Sequence, residues 1–195
     1  MNSKEYEIIM ESKKLLKSKN QEDINKGLEM LNHLANEKNK FAIYELATLY
    51  LEGKSVEKNI KKACNLFVFS GELGNIKAFY DAGKIFKKNR DYETAIRFFQ
   101  KAKYTPNAFL EIGKMYDKGL GVSRSIRKAY EYYLEASKLG CPEADYLLSE
   151  SYIYGLGVKI DFNRAKYYLN RALRKGIKDN LHLLNVINSK KVNNQ

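Results

Sequence analysis

Two glycine-rich tetrapeptides, Gly119-Leu120-Gly121-Val122 and Gly155-Leu156-Gly157-Val158, are the first residues in this 195-residue chain whose types and spacing could do chemistry. Closely spaced glycines can turn a ring of backbone N–H groups toward a phosphate. A dinucleotide loop also needs a preceding strand and Gly-x-Gly-x-x-Gly, and a P-loop needs a Gly-Lys-Ser/Thr ending; neither is present. His33 and His182 stand at opposite ends of the chain, so no metal cluster or nucleophile–base pair can be assembled from them. Each reads as an ordinary surface or half-buried residue. Glu131 and Glu135 share a helix face at i, i+4, where like charges repel. They are expected to meet Lys128 or Lys138 rather than to work as an acid–base pair. Cys64 and Cys141 are no disulfide framework and read as reduced, structural thiols. No catalytic, cofactor-binding or metal-ligating residue is assigned. The expectation is a non-enzyme with no cofactor and no small-molecule substrate.

What the glycines do follows from the elements around them. Ala42, Ala78, Ala108 and Ala144 stand 36, 30 and 36 residues apart. An aromatic follows each by eight residues, at Tyr50, Phe86, Tyr116 and Tyr152, and a small residue by five, at Ala47, Gly83, Gly113 and Ser149. A second small residue closes each copy at Ala63, Ala95, Ala129 and Ala165. A fixed period of this length marks a repeat architecture. Within a copy, Ala108, Ile112, Met115 and Tyr116 recur at i, i+4, i+7, i+8, and Ile126, Ala129, Tyr133 and Ala136 at i, i+3, i+7, i+10, so each half reads as an amphipathic helix. Small residues belong where two helices cross, and aromatics in the gaps between successive pairs. One pair cannot bury its own face, whereas stacked pairs can. The Gly-Leu-Gly-Val runs, and the weaker Gly53-Lys54-Ser55-Val56, then fall just past a first helix, where glycine can take positive φ and a valine can tuck beneath the turn. They are punctuation.

The order small, Leu/Ile/Ala, small, aromatic, Gly-x-Gly-Val, Lys/Arg-Ala, Tyr-Tyr, Leu-Gly resembles the Sel1-like repeat, a relative of the tetratricopeptide repeat. The resemblance is clearest in "AFLEIGKMYDKGLGVSRSIRKAYEYYLEASKLG" and "ADYLLSESYIYGLGVKIDFNRAKYYLNRALRKG". It implies an all-α, right-handed α-solenoid of stacked antiparallel helix pairs, occupying residues 1–195 as a single repeat domain. Residues 4–39 read as a divergent N-terminal pair, with Gly27 at the Ala63 position. Residues 40–75, 106–141 and 142–177 read as Sel1-like repeats, and the shorter 76–105 looks like a tetratricopeptide unit. Residues 178–191 read as a capping helix, leaving "VNNQ" as a frayed tail. The cysteine pairs of the family's secreted, disulfide-stapled branch are missing here, which fits a reduced compartment.

Charge and hydropathy narrow the class further. No run approaches the roughly 20 apolar residues of a membrane span, and "MNSKEYEIIMESKK" alternates charged and apolar residues instead of carrying a signal-peptide block. A cytoplasmic chain without membrane contact is expected. The formal charge is +12. Residues 1–76 hold 12 Lys+Arg against 11 Asp+Glu, and residues 77–195 hold 23 against 12, so the excess is regional. A field of that sign favours acidic partners.

Proteins of the resembled superfamily are generally non-enzymatic adaptors that present a concave groove, lined by the first helix of each pair, to a peptide or protein. Carried over by position, the groove would show Tyr44, Tyr80, Leu110 and Tyr146 in one row. Thr48, Lys84, Lys114 and Glu150 would form a second row, and a third would include Leu51, Lys87, Asp117 and Ile153 beside Glu52, Lys88, Lys118 and Tyr154. Tyrosines beside lysines suit an acidic, partly apolar peptide. The candidate partner-binding residues are Tyr44, Tyr80, Lys84, Lys87, Lys88, Leu110, Lys114, Lys118 and Tyr146. Nucleic acid is the alternative partner: residues 159–191 contain 9 Lys+Arg and 2 Asp+Glu, with Tyr167 and Tyr168 interleaved. Against it, Tyr132, Tyr133, Tyr167 and Tyr168 stand at repeat-equivalent positions, as core packing would require.

Overall fold

Capping chemistry sets where each helix begins. In a computed structural model that describes residues 3–178 and 182–192, with side chains as far as Ser189, eleven helices are present and no strand among the described residues. They are α1 (Ser3–Leu15), α2 (Gln21–Asn36), α3 (Lys40–Glu52), α4 (Ile60–Glu72), α5 (Ile76–Lys88), α6 (Tyr92–Lys101), α7 (Pro106–Lys118), α8 (Ile126–Lys138), α9 (Pro142–Tyr154), α10 (Phe162–Arg174) and α11 (His182–Val192). Side chains of Asn59, Asp91, Ser125 and Asp161 accept from first-turn N–H groups of α4, α6, α8 and α10. Each such cap is worth about 1 kcal/mol. The chain's two prolines, Pro106 and Pro142, both stand at helix starts, where a missing N–H costs nothing.

The same four caps close the turns inside the pairs. Backbone N–H groups of Asn59, Asp91, Ser125 and Asp161 donate to the carbonyls of Tyr50, Phe86, Tyr116 and Tyr152 over 2.9, 3.0, 2.9 and 3.0 Å. The recurring aromatic thus also anchors the start of the second helix through its backbone carbonyl. Gly53, Gly119 and Gly155 end the first helices at φ of 72°, 68° and 70°, and Leu120 and Leu156 donate back to Met115 and Ser151 over 2.9 Å. The second glycine of each run has a different reason. A Cβ on Gly121 would stand 2.6 Å from the carbonyl carbon of Tyr92, and one on Gly157 would stand 2.7 Å from the carbonyl oxygen of Ile126. These loops thus rest on the first turn of the preceding pair's second helix.

The chain divides into two compact units, Met1–Ile85 and Phe86–Gln195, with the boundary inside α5. In the first, α1 packs on α2, α2 on α3, and α3 on α4. Its core holds Ile9, Leu31, Leu34, Ala42 and Leu46. In the second, α6 packs on α7, α7 on α8, α8 on α9, α9 on α10, and α11 on α9 and α10. Leu148, Ile153, Leu169 and Ile187 are fully buried there. Fully burying a residue of this kind contributes about 1.5–3 kcal/mol, and these layers carry the fold. All four anchor alanines and all four closing alanines are buried, as crossing points demand. The final residues of the expected frayed tail, 193–195, lie outside the described residues.

Candidate functional site

In the second unit the first-helix face carries a chain of alternating charge. Lys87, at the end of α5, is ion-paired to Glu111 of α7. Lys114 Nζ lies 3.9 Å from the same carboxylate and 2.6 Å from Glu143 Oε1 on α9. In the first unit Lys13 of α1 meets Glu45 of α3 at 2.7 Å, and the Tyr44 hydroxyl donates to Asp81 of α5 over 2.8 Å. Lys84 completes that cluster at 3.4 Å from Asp81. Each contact joins first helices of neighbouring pairs or turns of one first helix. The acids Glu45, Asp81 and Glu111 all stand three residues after an anchor alanine. This acidic row recurs at the repeat period and balances the lysines one helical turn further on.

The sequence-derived residues are therefore placed unequally. Lys84, Lys87 and Lys114 reach the face but are paired, whereas Lys88 and Lys118 are exposed and have no ion-pair partner among the described residues. Tyr44, Tyr80 and Tyr146 are half-buried. Lys84 sits over the Tyr80 ring at 5.4 Å, and Lys77 over Tyr44 at 5.0 Å. Leu110 is a correction: it is only 4% exposed and belongs to the core between α7, α8 and α9. Ile153 is likewise fully buried. A helix turns about 100° per residue, so a row at the edge of the apolar stripe falls inward wherever its residue is aliphatic.

Burial raises the Tyr44 hydroxyl above the ordinary tyrosine range, and its hydrogen bond to Asp81 adds to that shift. Tyr130 is raised in the same direction, first by burial and then by its 2.6 Å contact with the Tyr152 hydroxyl. Tyr168 stacks on Tyr152 with centroids 5.7 Å apart, Tyr132 stacks on Tyr116 at 5.4 Å, and Tyr133 is buried. Tyr167 departs from the packing expectation: it is 58% exposed, with the Arg171 guanidinium 5.6 Å from its ring. Glu135 meets Lys138 at 2.6 Å as expected, but Glu131 meets Arg127 at 3.3 Å rather than Lys128.

One polar centre had no signal in the repeat pattern. Asp145 of α9 is fully buried; it accepts from Ser137 Oγ over 2.5 Å and is paired with Arg171 at 3.3 Å and Lys175 at 3.2 Å. The corresponding positions in other copies are Ile43, Phe79 and Phe109, so a carboxylate there breaks the rule. Arg171 and Lys175 also donate to the carbonyls of Ser137 and Gly140, which ties α10 to the end of α8. Two of the basic residues that make the C-terminal segment positive are thus occupied inside the fold. Burial raises the Cys64 thiol, which disfavours a nucleophilic thiolate. Among the described residues no group of three or more His, Cys, Asp or Glu side chains is placed to hold a metal ion, and no helix is long and apolar enough to cross a membrane.

The pattern recurs in known proteins. The Sel1 repeat model matches residues 40–75, 72–104, 110–141 and 142–177, and so includes the short copy that reads by eye as a tetratricopeptide unit. Chitin synthase regulatory factor 1 of Schizosaccharomyces pombe is 26% identical over 165 residues, covering 77% of this chain and 36% of that protein. The ERAD-associated E3 ubiquitin-protein ligase component HRD3B of Arabidopsis thaliana is 32% identical over 103 residues, covering 50% of this chain and 16% of its own length. The chain spans little more than a third of the first of these relatives and less of the second. The crystal structure of a Sel1 repeat protein from Oxalobacter formigenes superposes with a TM-score of 0.73 at 25% identity, over 82% of this chain and 66% of that one. The fold class is accordingly all-α, built from solenoid-type helix pairs.

Proposed function

This chain belongs to the Sel1-repeat family, and from that premise we propose that it is a non-catalytic protein-interaction module which binds a partner protein through the first-helix face. The observation that carries the reading is the Lys87–Glu111–Lys114–Glu143 chain, with Lys88 and Lys118 open beside it. Long charged side chains lose entropy when a partner fixes them, and here the ion pairs have already fixed four. Such pairs on a solvated face contribute only about 0–1 kcal/mol each, so a partner carboxylate can replace an internal one at little cost. Half-buried Tyr146 adds aromatic area that needs no further ordering. The names of the two curated relatives, a regulatory factor and a ligase component, fit a protein that works by holding others. An acidic partner in a reducing, cytoplasmic setting is the form of this reading that the charge and the two free cysteines support.

Affinity capture from the native cell's lysate tests it, with nuclease treatment and with Lys88→Glu/Lys118→Glu as the paired variant. Both lysines are exposed and unpaired, so the variant should keep its fold. Nuclease-resistant capture of a protein that the variant releases is the expected result. Capture of nuclease-sensitive, steeply salt-dependent material alone would overturn it and favour nucleic acid at the α10 surface, where Lys166 and Tyr167 are exposed.

A further inference from the structure

Comparison of equivalent positions in two copies isolates one cleft in the first unit. In the second unit, the gap between the α7/α8 pair and α9 is nearly closed, because Tyr133 and Leu156 fill it and leave about 60 Å³. The corresponding gap between the α1/α2 pair and α3 carries Leu31 where Tyr133 stands and Lys54 where Leu156 stands. It opens to about 310 Å³. Its floor is apolar, formed by Leu16, Leu31 and Leu49. Its mouth is charged. Lys13 is held by Glu45 at 2.7 Å and Lys54 by Glu52 at 2.9 Å, while Lys17 is exposed with no carboxylate in ion-pairing range among the described residues.

We propose that this cleft is a subsite for a peptide segment of the partner protein, one that presents a single bulky apolar side chain (leucine, methionine or phenylalanine) next to an aspartate or glutamate. The volume lies at the lower limit of ligand pockets, which suits one side chain rather than a cofactor-sized molecule. A bulky residue seated on three leucines regains the packing that Tyr133 and Leu156 supply in the other copy. Its acidic neighbour meets Lys17, the cation at the mouth that has no ion-pair partner among the described residues. With Lys13 and Lys54 balanced by Glu45 and Glu52, the mouth keeps a net positive charge through Lys17, which favours an acidic over a basic neighbour. This subsite rests on the reading of the chain as a protein-interaction module and adds a sequence preference to it.

The test is selection of a phage-displayed random dodecapeptide library on the full chain, followed by titration of a labelled synthetic peptide from the enriched pool. Enriched peptides should share an apolar residue beside a carboxylate. Leu31→Tyr/Lys54→Leu, which restores the residues of the other copy, should weaken the peptide at least tenfold while the melting temperature holds or rises. Lys17→Glu, at an exposed position with no ion-pair partner among the described residues, should weaken it several-fold with the melting temperature unchanged. Lys88→Glu/Lys118→Glu should leave this peptide's affinity unaltered. Enrichment without the pattern, affinity that survives both cleft variants, or displacement of the peptide by low concentrations of decanoate would each overturn the proposal. If both cleft variants still capture the lysate partner that Lys88→Glu/Lys118→Glu releases, the subsite fails and the interaction-module reading stands.

Discussion

Gly113 lies directly beneath the ring of Tyr133: a Cβ added at Gly113 would stand 2.5 Å from Tyr133 Cε1, 2.6 Å from Cδ1 and 3.3 Å from the carbonyl oxygen of Ala129. The α7–α8 crossing is close because one partner has no side chain and the other fills the space with a ring. Ala47 and Ser149 occupy the same repeat position, so the requirement is set by the opposing residue rather than by the helix. Leu31 is the counterpart of Tyr133 in the first pair, and it lines the cleft of about 310 Å³ between that pair and α3. The repeat is a template whose local volumes are exchanged between facing positions.

Gly113→Leu should therefore cost about 2–4 kcal/mol by overpacking a fixed ring. Gly113→Ala combines a helix-propensity gain near 1 kcal/mol with the clash, and a net loss of about 1–2 kcal/mol is expected. Urea denaturation of both variants measures this. A Gly113→Leu midpoint equal to the parent's would mean that the crossing is not as close as described.

The glycines of positive φ separate by what surrounds them. Gly140, at φ 89°, has nothing within 4 Å of an added Cβ, while Gly157, at φ 77°, would meet Ile126 and Arg127 backbone at 2.7 and 3.0 Å. Alanine at Gly140 should cost only the left-handed strain, about 1 kcal/mol, and alanine at Gly157 clearly more, about 2–3 kcal/mol. Thermal melts of the two variants side by side give the comparison, and equal losses would remove the close approach as the reason for the second glycine.

Ser149 shows the reverse case, a polar atom in excess. It is fully buried, and its hydroxyl has no hydrogen-bond partner among the described residues. Since an unsatisfied buried hydroxyl costs about 1–3 kcal/mol, Ser149→Ala should stabilise the chain by roughly 1 kcal/mol. A destabilised variant would show that the hydroxyl is bonded in solution.

These examples show which features a sequence can reveal. Alanine and glycine at fixed intervals, aromatics eight residues on, and glycine pairs between them announced the helix pairs, because backbone geometry repeats with the period. The caps Asn59, Asp91, Ser125 and Asp161 carry the same signal in three different residue types, which hides it from a search for identity. Leu110 was misplaced because the edge of an apolar stripe is not marked in sequence. Asp145 is invisible because its partners come from α8, α10 and the residue that caps α10, at separations of 8, 26 and 30 residues that no period connects.

Asp145 itself yields a prediction. Removing a fully buried carboxylate strands two cations and a hydroxyl, and such losses run to about 3–5 kcal/mol when the partners are buried as well. Arg171 and Lys175 side chains remain 29% and 36% exposed, so both can turn to water. Asp145→Ala should accordingly cost about 2–3 kcal/mol, with Arg171→Met and Lys175→Met each costing less. A double-mutant cycle between Asp145 and Arg171 checks the coupling, and additive losses would mean the contact is not formed.

The alkaline limit of stability follows from the tyrosines. Tyr44, Tyr130, Tyr132, Tyr133 and Tyr168 are all raised above the ordinary tyrosine value, with burial the leading cause in each. A group whose folded pKa exceeds its unfolded value stabilises the fold fully below the unfolded pKa, here about 10, and that contribution disappears as pH rises through the folded values. The melting temperature should hold up to about pH 10 as far as these groups are concerned and then fall steeply, with tyrosinate absorbance rising in two waves, the second coincident with loss of helical circular dichroism. Tyr133→Phe keeps the ring that covers Gly113 and removes one such proton, so its melt should decline less steeply above that pH. A single tyrosinate wave completed while helicity is intact would show that these hydroxyls ionise freely in the folded chain, and with it the tight packing between α7, α8 and α9 would have to be given up.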